Sequence, residues 1–309
     1  MPSPAGNLAI DFNADRLACV GMAMSFRKSM TEIGARIRLR SRGAGLAIVL
    51  VAPGTALGAL PADDPPIGAS AIFLAPSGGP EAPNVGLIGD STASQLAKPL
   101  AARMNPRGVG VVSATVGGCQ PSDTVLTYQS AEYFQRHRDC PRQALKKQDY
   151  LVRRFRPKLV IWSDVMEWSD IKLKDRVLMA GSPEWKRLML EGWDRTLNRL
   201  GGAAVTLILP TWWAGASRDA PAHFSVDRQR ALFRSWAERH SDRVTVVDLG
   251  PVICPAGPPC EEVVNGVRLR TDYYHYSEAG IRSVIAEIMA KVPALNAMRG
   301  RHGPRTAPA

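Results

Sequence analysis

The sequence predicts an α/β fold in which a five-stranded parallel sheet lies between two layers of helices. Two observations support this prediction. Short apolar segments rich in β-branched residues alternate with longer segments of helical period between residues 84 and 292. The strand segments, such as residues 205–209, are apolar without alternation, which is typical of strands covered by helices on both faces.

Five strands and five helices follow in alternation. The strands are predicted at residues 84–89, 109–114, 158–162, 205–209 and 244–248, and the helices near residues 93–104, 142–155, 183–200, 226–240 and 277–292. In the third helix, large apolar residues recur at steps of three and four and would bury one face. With 309 residues, 45% of them hydrophobic, the chain can fill a core, which excludes a disordered, collagen-like or coiled-coil protein.

The N-terminal part of the chain has the pattern of a membrane-directed segment. A basic N-terminal segment, residues 1–43, precedes an apolar stretch, residues 44–62, that contains no charged residue. This order predicts a secretory signal peptide or a retained membrane anchor, and a buried core helix is the third alternative. A signal would normally start closer to the arginines, so Met22, Met24 and Met30 are candidate initiators. Residues 63–83, rich in Pro, Gly, Ala and Ser, are predicted to be a linker.

The excess of positive charge lies at the two ends of the chain. The formal net charge is +11, of which residues 1–43 and 291–309 carry +4 each, so only +3 remains for the body between them. A nucleic-acid enzyme more often carries such charge on its folded surface. We therefore expect no nucleic-acid partner and a nearly balanced body between the two ends, which contains a domain at residues 84–292 and is followed by a basic tail at residues 293–309.

The cysteines agree with export of the domain. Cys119, Cys140, Cys254 and Cys260 all follow the apolar stretch, and their even number allows three disulfide pairings. We favour the local pairs Cys119–Cys140 and Cys254–Cys260, which close short loops. A zinc site and free buried thiols are the alternatives, although no CxxC motif is present.

A candidate nucleophile follows the first predicted strand. There the chain reads Gly89-Asp90-Ser91, which predicts a sharp turn that exposes Ser91 at a helix N-terminus. Unpaired backbone amides and the helix dipole favour developing negative charge at such a position. The triplet alone is common, and an ordinary helix cap is the alternative interpretation.

A candidate base follows the last predicted strand. His275 comes three residues after Asp272, on a turn that enters the last helix. A carboxylate at this spacing can accept the Nδ1–H of the imidazole and leave Nε2 facing a nucleophile.

Together these motifs resemble the SGNH/GDSL hydrolase family from about residue 84 to residue 292. The resemblance is greatest to SGNH domains associated with membrane acyltransferases of bacterial surface glycans, and residues 117–121 and 254–260 also resemble that group. It implies a three-layer α/β/α flavodoxin-like sandwich. It also implies that Ser91 is the nucleophile, His275 the general base and Asp272 the residue that orients the histidine.

The family also implies an oxyanion hole with three donors. Two would be the backbone amides of Ser91 and of Gly117 or Gly118. The third is an Asn after the third strand, where this chain has Ser163 or Asp164. The side chain of Ser163 can donate from its hydroxyl, whereas that of Asp164 cannot donate unless it is protonated. Loss of one such donor costs about 100- to 1000-fold in rate where nothing replaces it.

Four tryptophans near the predicted strand ends have two interpretations each. Trp162 and Trp168 are either core residues or a platform for sugar stacking. Trp212 and Trp213 either line the mouth of the site or pack inside the domain.

The sequence thus predicts an extracytoplasmic serine esterase or O-acyltransferase that acts on O-acetyl or other O-acyl esters of a cell-surface carbohydrate. No metal or organic cofactor is implied. The expected partners are an acylated glycan or small ester and a membrane acyltransferase, with membrane contact through residues 44–62 if they are uncleaved. The alternative is a non-catalytic SGNH-like domain that binds glycan or serves as a scaffold.

Overall fold

The centre of the molecule is a six-stranded sheet. The computed structural model describes residues 73–74, 84–126, 138–165, 169–212, 226–258, 260–272 and 274–300. The strands, in chain order, are β1 Phe73–Leu74, β2 Asn84–Gly89, β3 Gly110–Ser113, β4 Leu159–Ser163, β5 Ile171–Lys172, β6 Val177–Leu178, β7 Ala204–Ile208, β8 Val244–Val247, β9 Val263–Val264 and β10 Val267–Arg268. The sheet has the order β1-β3-β2-β4-β7-β8.

Five of these strands are parallel and were predicted from the sequence. The pairs β2–β3, β2–β4, β4–β7 and β7–β8 are all parallel. Taken in chain order, the five strands lie in the arrangement 2-1-3-4-5 of a flavodoxin-like sheet. The sixth strand, β1, was not predicted: it pairs antiparallel with β3 and lies inside residues 63–83, the segment predicted as a linker.

Helices cover both faces of the sheet. They are α1 Ser91–Met104, α2 Cys140–Phe155, α3 Pro183–Arg199, α4 Val226–Arg239, α5 Gly250–Ile253, α6 Glu278–Lys291 and α7 Pro293–Ala297. The five long helices and the five parallel strands begin and end within two residues of the predicted positions.

One hydrophobic cluster lies on each face of the sheet. Along β2, Ile88 joins the cluster formed with α2, α3 and α4, whereas Val85 and Leu87 join the cluster formed with α1, α6 and α7. All three side chains are fully buried. The predicted three-layer α/β/α sandwich is therefore confirmed, because the central strand is covered on both faces.

Both predicted disulfides are present. Cys119 is bonded to Cys140 with an S–S distance of 2.01 Å, and Cys254 is bonded to Cys260 with a distance of 2.11 Å. The first joins the segment after β3 to the N-terminus of α2, and the second closes the turn after α5. This pairing replaces the alternatives of a zinc site on these cysteines and of free thiols.

The chain continues to pack against the domain after residue 292. Leu295 of α7 is fully buried, and the N–H of Gly300 donates to the carbonyl of Arg107 at 2.8 Å. The predicted basic tail, residues 293–309, therefore begins with a packed segment. The predicted N-terminal segments 1–43 and 44–62 lie outside the described residues. Among the residues that the structure describes, no helix is both long and apolar enough to cross a membrane.

Candidate active site

The predicted nucleophile lies at the carboxyl end of β2, in the middle of the sheet. Gly89 ends the strand with φ of +134°, and Ser91 is the first residue of α1. A Cβ on Gly89 would lie 1.7 Å from the carbonyl oxygen of Ser163 in the neighbouring strand. Glycine is therefore required at this turn, both for its backbone angle and for the close approach of β4.

Asp90 fixes the turn from inside the protein. Its side chain is fully buried, and Oδ1 accepts hydrogen bonds from the N–H and the hydroxyl of Thr92 at 2.8 and 2.6 Å. The other oxygen, Oδ2, accepts from the N–H of Val165 at 3.0 Å. Asp90 thus caps α1 and also ties the nucleophile turn to the loop after β4, a link that local sequence patterns do not reveal.

Ser91, His275 and Asp272 form one chain of hydrogen bonds. Nε2 of His275 lies 2.8 Å from the Oγ of Ser91, and Nδ1 lies 2.8 Å from Oδ2 of Asp272. The carboxylate favours the tautomer with a proton on Nδ1, because it can only accept. Nε2 is then free to accept the hydroxyl proton of Ser91.

Asp272 is held as an acceptor by the backbone of its own loop. Its Oδ1 accepts from the N–H groups of Tyr274 and His275 at 2.8 and 2.7 Å. Burial raises the pKa of Asp272, but the hydrogen bonds from His275 and Tyr274 outweigh it, so the net pKa is lowered from the ordinary value. This carboxylate therefore stays ionised and oriented toward the imidazole at neutral pH.

The site is open to solvent. The side chain of His275 is 34% exposed and that of Asp272 is 49% exposed, while Ser91 is half-buried. The imidazole and the carboxylate are therefore both partly accessible to solvent.

A buried arginine braces the loop that carries the histidine, which we call the histidine loop (residues 270–277). Arg270 donates to the carbonyl of Tyr274 at 2.8 Å, to the hydroxyl of Thr211 at 2.7 Å and to the carbonyl of Trp212 at 2.9 Å. Burial lowers the pKa of this guanidinium. Local sequence patterns do not reveal the role of Arg270, because its partners after β7 lie about sixty residues away in the chain.

The two candidate glycines of the oxyanion hole lie on a tight turn, the glycine turn (residues 116–119). The N–H of Val116 donates to the carbonyl of Gly89 at 2.9 Å, so this turn is bound to the residue that ends β2. Gly118 has φ of +70°, and Gly117 is exposed with open space where a side chain would project. The structure therefore brings Gly117 and Gly118 to the same end of the sheet as Ser91.

Helix α2 holds this region at three points. Besides the Cys119–Cys140 disulfide, the buried amine of Lys147 donates to the carbonyl of Thr115 at 2.7 Å. Gln148 donates to the carbonyl of Pro121 at 2.6 Å. Burial lowers the pKa of Lys147. Such ties restrict the backbone on either side of the two glycines.

Ser163, the candidate third donor, is the last residue of β4 and pairs with Gly89 in the sheet register. Its side chain is only 5% exposed, and the next residue, Asp164, is 2% exposed. The structure thus places Ser163 beside the nucleophile turn but largely inside the protein.

Of these four tryptophans the structure describes Trp162 and Trp212. Trp162 is fully buried with its ring 5.5 Å from that of Trp236, so it belongs to the core and the alternative of a sugar platform is wrong. Trp212 packs under the guanidinium of Arg230 at 4.1 Å, and its indole N–H donates to Asp227 at 2.9 Å. The other two candidates, Trp168 and Trp213, lie outside the described residues.

Within the described ranges, no group of three or more His, Cys, Asp or Glu side chains could hold a metal ion.

Comparison with protein families gives one match over most of the chain. The family model described as "SGNH domain (fused to AT3 domains)" matches residues 60–290. A comparison with curated proteins finds no match.

Several solved structures are similar to this chain at low identity. The periplasmic domain of the lipopolysaccharide acetyltransferase of Salmonella ser. Paratyphi A has 15% identity and a TM-score of 0.47, with 68% of this chain and 83% of that chain covered. A lipase/acylhydrolase from Enterococcus faecalis has 17% identity, a TM-score of 0.43 and coverages of 69% and 96%. A GDSL-like lipase from Bacteroides thetaiotaomicron has 13% identity, a TM-score of 0.44 and coverages of 69% and 87%.

Proposed function

This chain belongs to the family of SGNH domains fused to AT3 domains and is an SGNH-type ester hydrolase or acyltransferase, and we propose that Ser91 is its nucleophile. His275 is the general base and Asp272 orients it. The observation that carries this assignment is the continuous hydrogen-bond chain from Ser91 through His275 to Asp272, with both links at 2.8 Å.

The first half of the reaction transfers the acyl group to the enzyme. The Oγ of Ser91 attacks the ester carbonyl carbon while its proton passes to Nε2 of His275. The oxyanion of the tetrahedral intermediate accepts hydrogen bonds from the amides of Ser91 and of Gly117 or Gly118. The bond to the leaving oxygen then breaks, and His275 gives its proton to the departing alcohol. The product is an acyl ester of Ser91.

The second half releases the acyl group to an acceptor. Water, deprotonated by His275, attacks the carbonyl carbon of acyl-Ser91; the bond from this carbon to Oγ then breaks, Oγ takes the proton back from His275, and a carboxylic acid leaves, which is hydrolysis. A sugar hydroxyl in the same place yields a new ester, which is acyl transfer. Because both routes use the same residues, the walls of the site and the exclusion of water select between them.

The proposed substrate is an O-acetyl ester on a cell-surface carbohydrate. The family description supports it, because domains of this family are fused to AT3 domains, which are acyltransferases. The open, half-exposed triad supports a bulky substrate. A membrane acyltransferase is the proposed partner, in the same chain or in a separate one.

We propose an extracytoplasmic location for the domain. Two disulfides support it, since disulfides persist in oxidising compartments and are rare in the cytosol. The apolar stretch at residues 44–62 would direct the chain there, either as a cleaved signal or as an anchor.

Turnover of acetyl esters tests the proposed activity. The purified protein should release acetate from p-nitrophenyl acetate and from an O-acetylated polysaccharide, and Ser91→Ala should reduce this rate to background. The matched control is Ser94→Ala, an exposed serine on the same helix, which should retain the wild-type rate. Equal activity of Ser91→Ala and the wild type would contradict the proposal.

Product analysis separates hydrolysis from transfer. With a labelled acetyl donor and an excess of sugar acceptor, an esterase gives labelled acetate, and a transferase gives labelled sugar ester. Binding of the polysaccharide with neither hydrolysis nor transfer would favour the non-catalytic alternative. That alternative is supported by the buried Ser163, which stands in place of the family's Asn.

A further inference from the structure

One side chain joins the helix of Ser91 to the loop of His275. Gln95 lies on α1, one turn after Ser91, and is half-buried. Its Oε1 accepts a hydrogen bond from the N–H of Tyr276 at 3.0 Å, and its Nε2 donates to the carbonyl of the same residue at 3.2 Å. Tyr276 directly follows His275, so this pair of hydrogen bonds spans the two halves of the proposed catalytic machinery.

The chemistry of this contact calls for an amide. The backbone of Tyr276 presents one donor and one acceptor side by side, and a glutamine side chain supplies the complementary acceptor and donor. An ionised carboxylate offers only acceptors and would face the carbonyl of Tyr276 unfavourably. A hydrocarbon side chain of the same length would leave both backbone groups without these partners.

The contact lies where it can set the separation of nucleophile and base. Ser91 is fixed by α1, whereas His275 belongs to a loop. Near the end of this loop lies Tyr276, which is 4% exposed and has its ring 5.2 Å from the guanidinium of Arg270. Gln95 couples this anchored end of the loop to the nucleophile helix. The distance of 2.8 Å between the Oγ of Ser91 and Nε2 of His275 therefore depends on how far the histidine loop lies from α1.

We propose that Gln95 is a positioning residue of the active site, which holds the histidine loop at the distance that proton transfer from Ser91 requires. The role rests on the proposed function of Ser91 and His275. Gln95 acts through Tyr276 and does not touch the reacting atoms. A displacement of about 1 Å in such a geometry can cost about 100-fold in rate.

Inactivation by a fluorophosphonate measures the effect on chemistry separately from binding. For Gln95→Leu we expect kinact to fall by about 10- to 100-fold, while KI stays near the wild-type value, because the substrate contacts are intact. Rates are expressed per active site, titrated with the same probe, so that a loss of folded protein does not count as a loss of rate. The matched control is Gln143→Leu, an exposed glutamine of α2, which should leave kinact unchanged.

The variant Gln95→Glu adds a measurement, the pH dependence of kinact, that a loss of stability would not change. When protonated, its carboxyl group has one donor and one acceptor and can replace the amide; when ionised, it has no donor. The ratio of its kinact to that of the wild type should therefore rise as the pH falls. A ratio that does not change with pH would count against the role.

A crystal structure of Gln95→Leu gives the result that does not depend on catalysis. We expect the Oγ of Ser91 and Nε2 of His275 to move out of hydrogen-bonding distance. An unchanged separation, or an unchanged kinact per active site in a less stable variant, would overturn the positioning role. A wild-type protein that never reacts with the probe would instead overturn the proposed function, and the crystal structure would still decide on Gln95.

Discussion

The turn before the nucleophile is the most constrained backbone in the site. A side chain on Gly89 would collide with the carbonyl of Ser163 and would occupy a backbone angle that favours glycine. Any relief of this collision moves β2 relative to β4, and with it Ser91.

We therefore expect Gly89→Ala to lower the free energy of unfolding by about 3 kcal/mol. Urea denaturation measures the change. Gly202→Ala is the control, since nothing lies within 4 Å of its added carbon, and it should leave stability almost unchanged. Equal losses in the two variants would show that the close approach of β4 is not what requires glycine.

In the proposed triad, Asp272 determines which nitrogen of the imidazole faces Ser91. An Asn in its place can keep the two backbone hydrogen bonds through its oxygen, but its amide NH₂ would face Nδ1 and favour the wrong tautomer. We expect Asp272→Asn to reduce kcat/KM for p-nitrophenyl acetate by about 10³- to 10⁴-fold without loss of fold. A rate close to that of the wild type would mean that the histidine needs no orienting carboxylate.

At the scale of helices, strands and loops, the two disulfides constrain different segments of the chain. Cys119–Cys140 closes a loop with a sequence separation of 21 and fixes the glycine turn, whereas Cys254–Cys260 has a separation of 6. Loop-closure entropy gives about 3 kcal/mol for the first and about 2 kcal/mol for the second.

Replacement of both cysteines of a pair by Ala should therefore lower stability more for the first disulfide than for the second. Only the first replacement should also slow inactivation by a fluorophosphonate, because it releases the backbone amides of Gly117 and Gly118. Thermal unfolding and probe kinetics measure the two effects. Equal kinetic effects would show that the disulfide next to the glycine turn does not support the oxyanion hole.

The junction of α4 with the end of β8 gives the stability of the domain a dependence on pH. Asp248 accepts hydrogen bonds from Arg230 at 2.7 Å, from Arg234 at 2.6 Å and from the N–H of Gly250 at 2.8 Å. Burial raises the pKa of Asp248, but Arg230, Gly250 and Arg234 together outweigh it, and the net pKa is lowered from the ordinary value of 3.8.

A carboxylate with a lowered pKa in the folded state stabilises the protein fully above its ordinary pKa, and this contribution is lost as the pH falls through that value and through the folded pKa. Asp248→Asn should therefore destabilise the protein more at about pH 7 than at about pH 3. Urea unfolding at both pH values measures this, with Asp175→Asn, an exposed carboxylate between β5 and β6, as control. A loss that is the same at both pH values would contradict this account.

At the scale of the whole molecule, local sequence patterns predicted the helices and strands, but they did not predict contacts between residues far apart in the chain. The five parallel strands and five long helices follow from periodicity within each segment. The strand β1 has only two residues and is defined by its partner β3, so no local pattern indicates it. The sequence left Trp162 open between the core and a sugar platform, because its burial depends on α4, which lies far along the chain.

The site shows the same division. Ser91, Asp272 and His275, the proposed triad, belong to short motifs that the sequence shows, and both disulfide pairs are the local pairs that the sequence favoured. Gln95 and Arg270 could not, since Gln95 meets Tyr276 across 181 residues and Arg270 meets Thr211 across 59. Such contacts arise only when the sheet brings the ends of its strands together.

Covalent labelling tests the central claim, that Ser91 is a nucleophile activated by His275. The folded protein is treated with a fluorophosphonate at neutral pH, digested and mapped by mass spectrometry. We predict one modified peptide with the phosphonyl group on Ser91, no labelling of Ser91→Ala and strongly slowed labelling of His275→Ala. Absence of labelling in the folded wild-type protein, or equal labelling of Ser91→Ala, would contradict the claim.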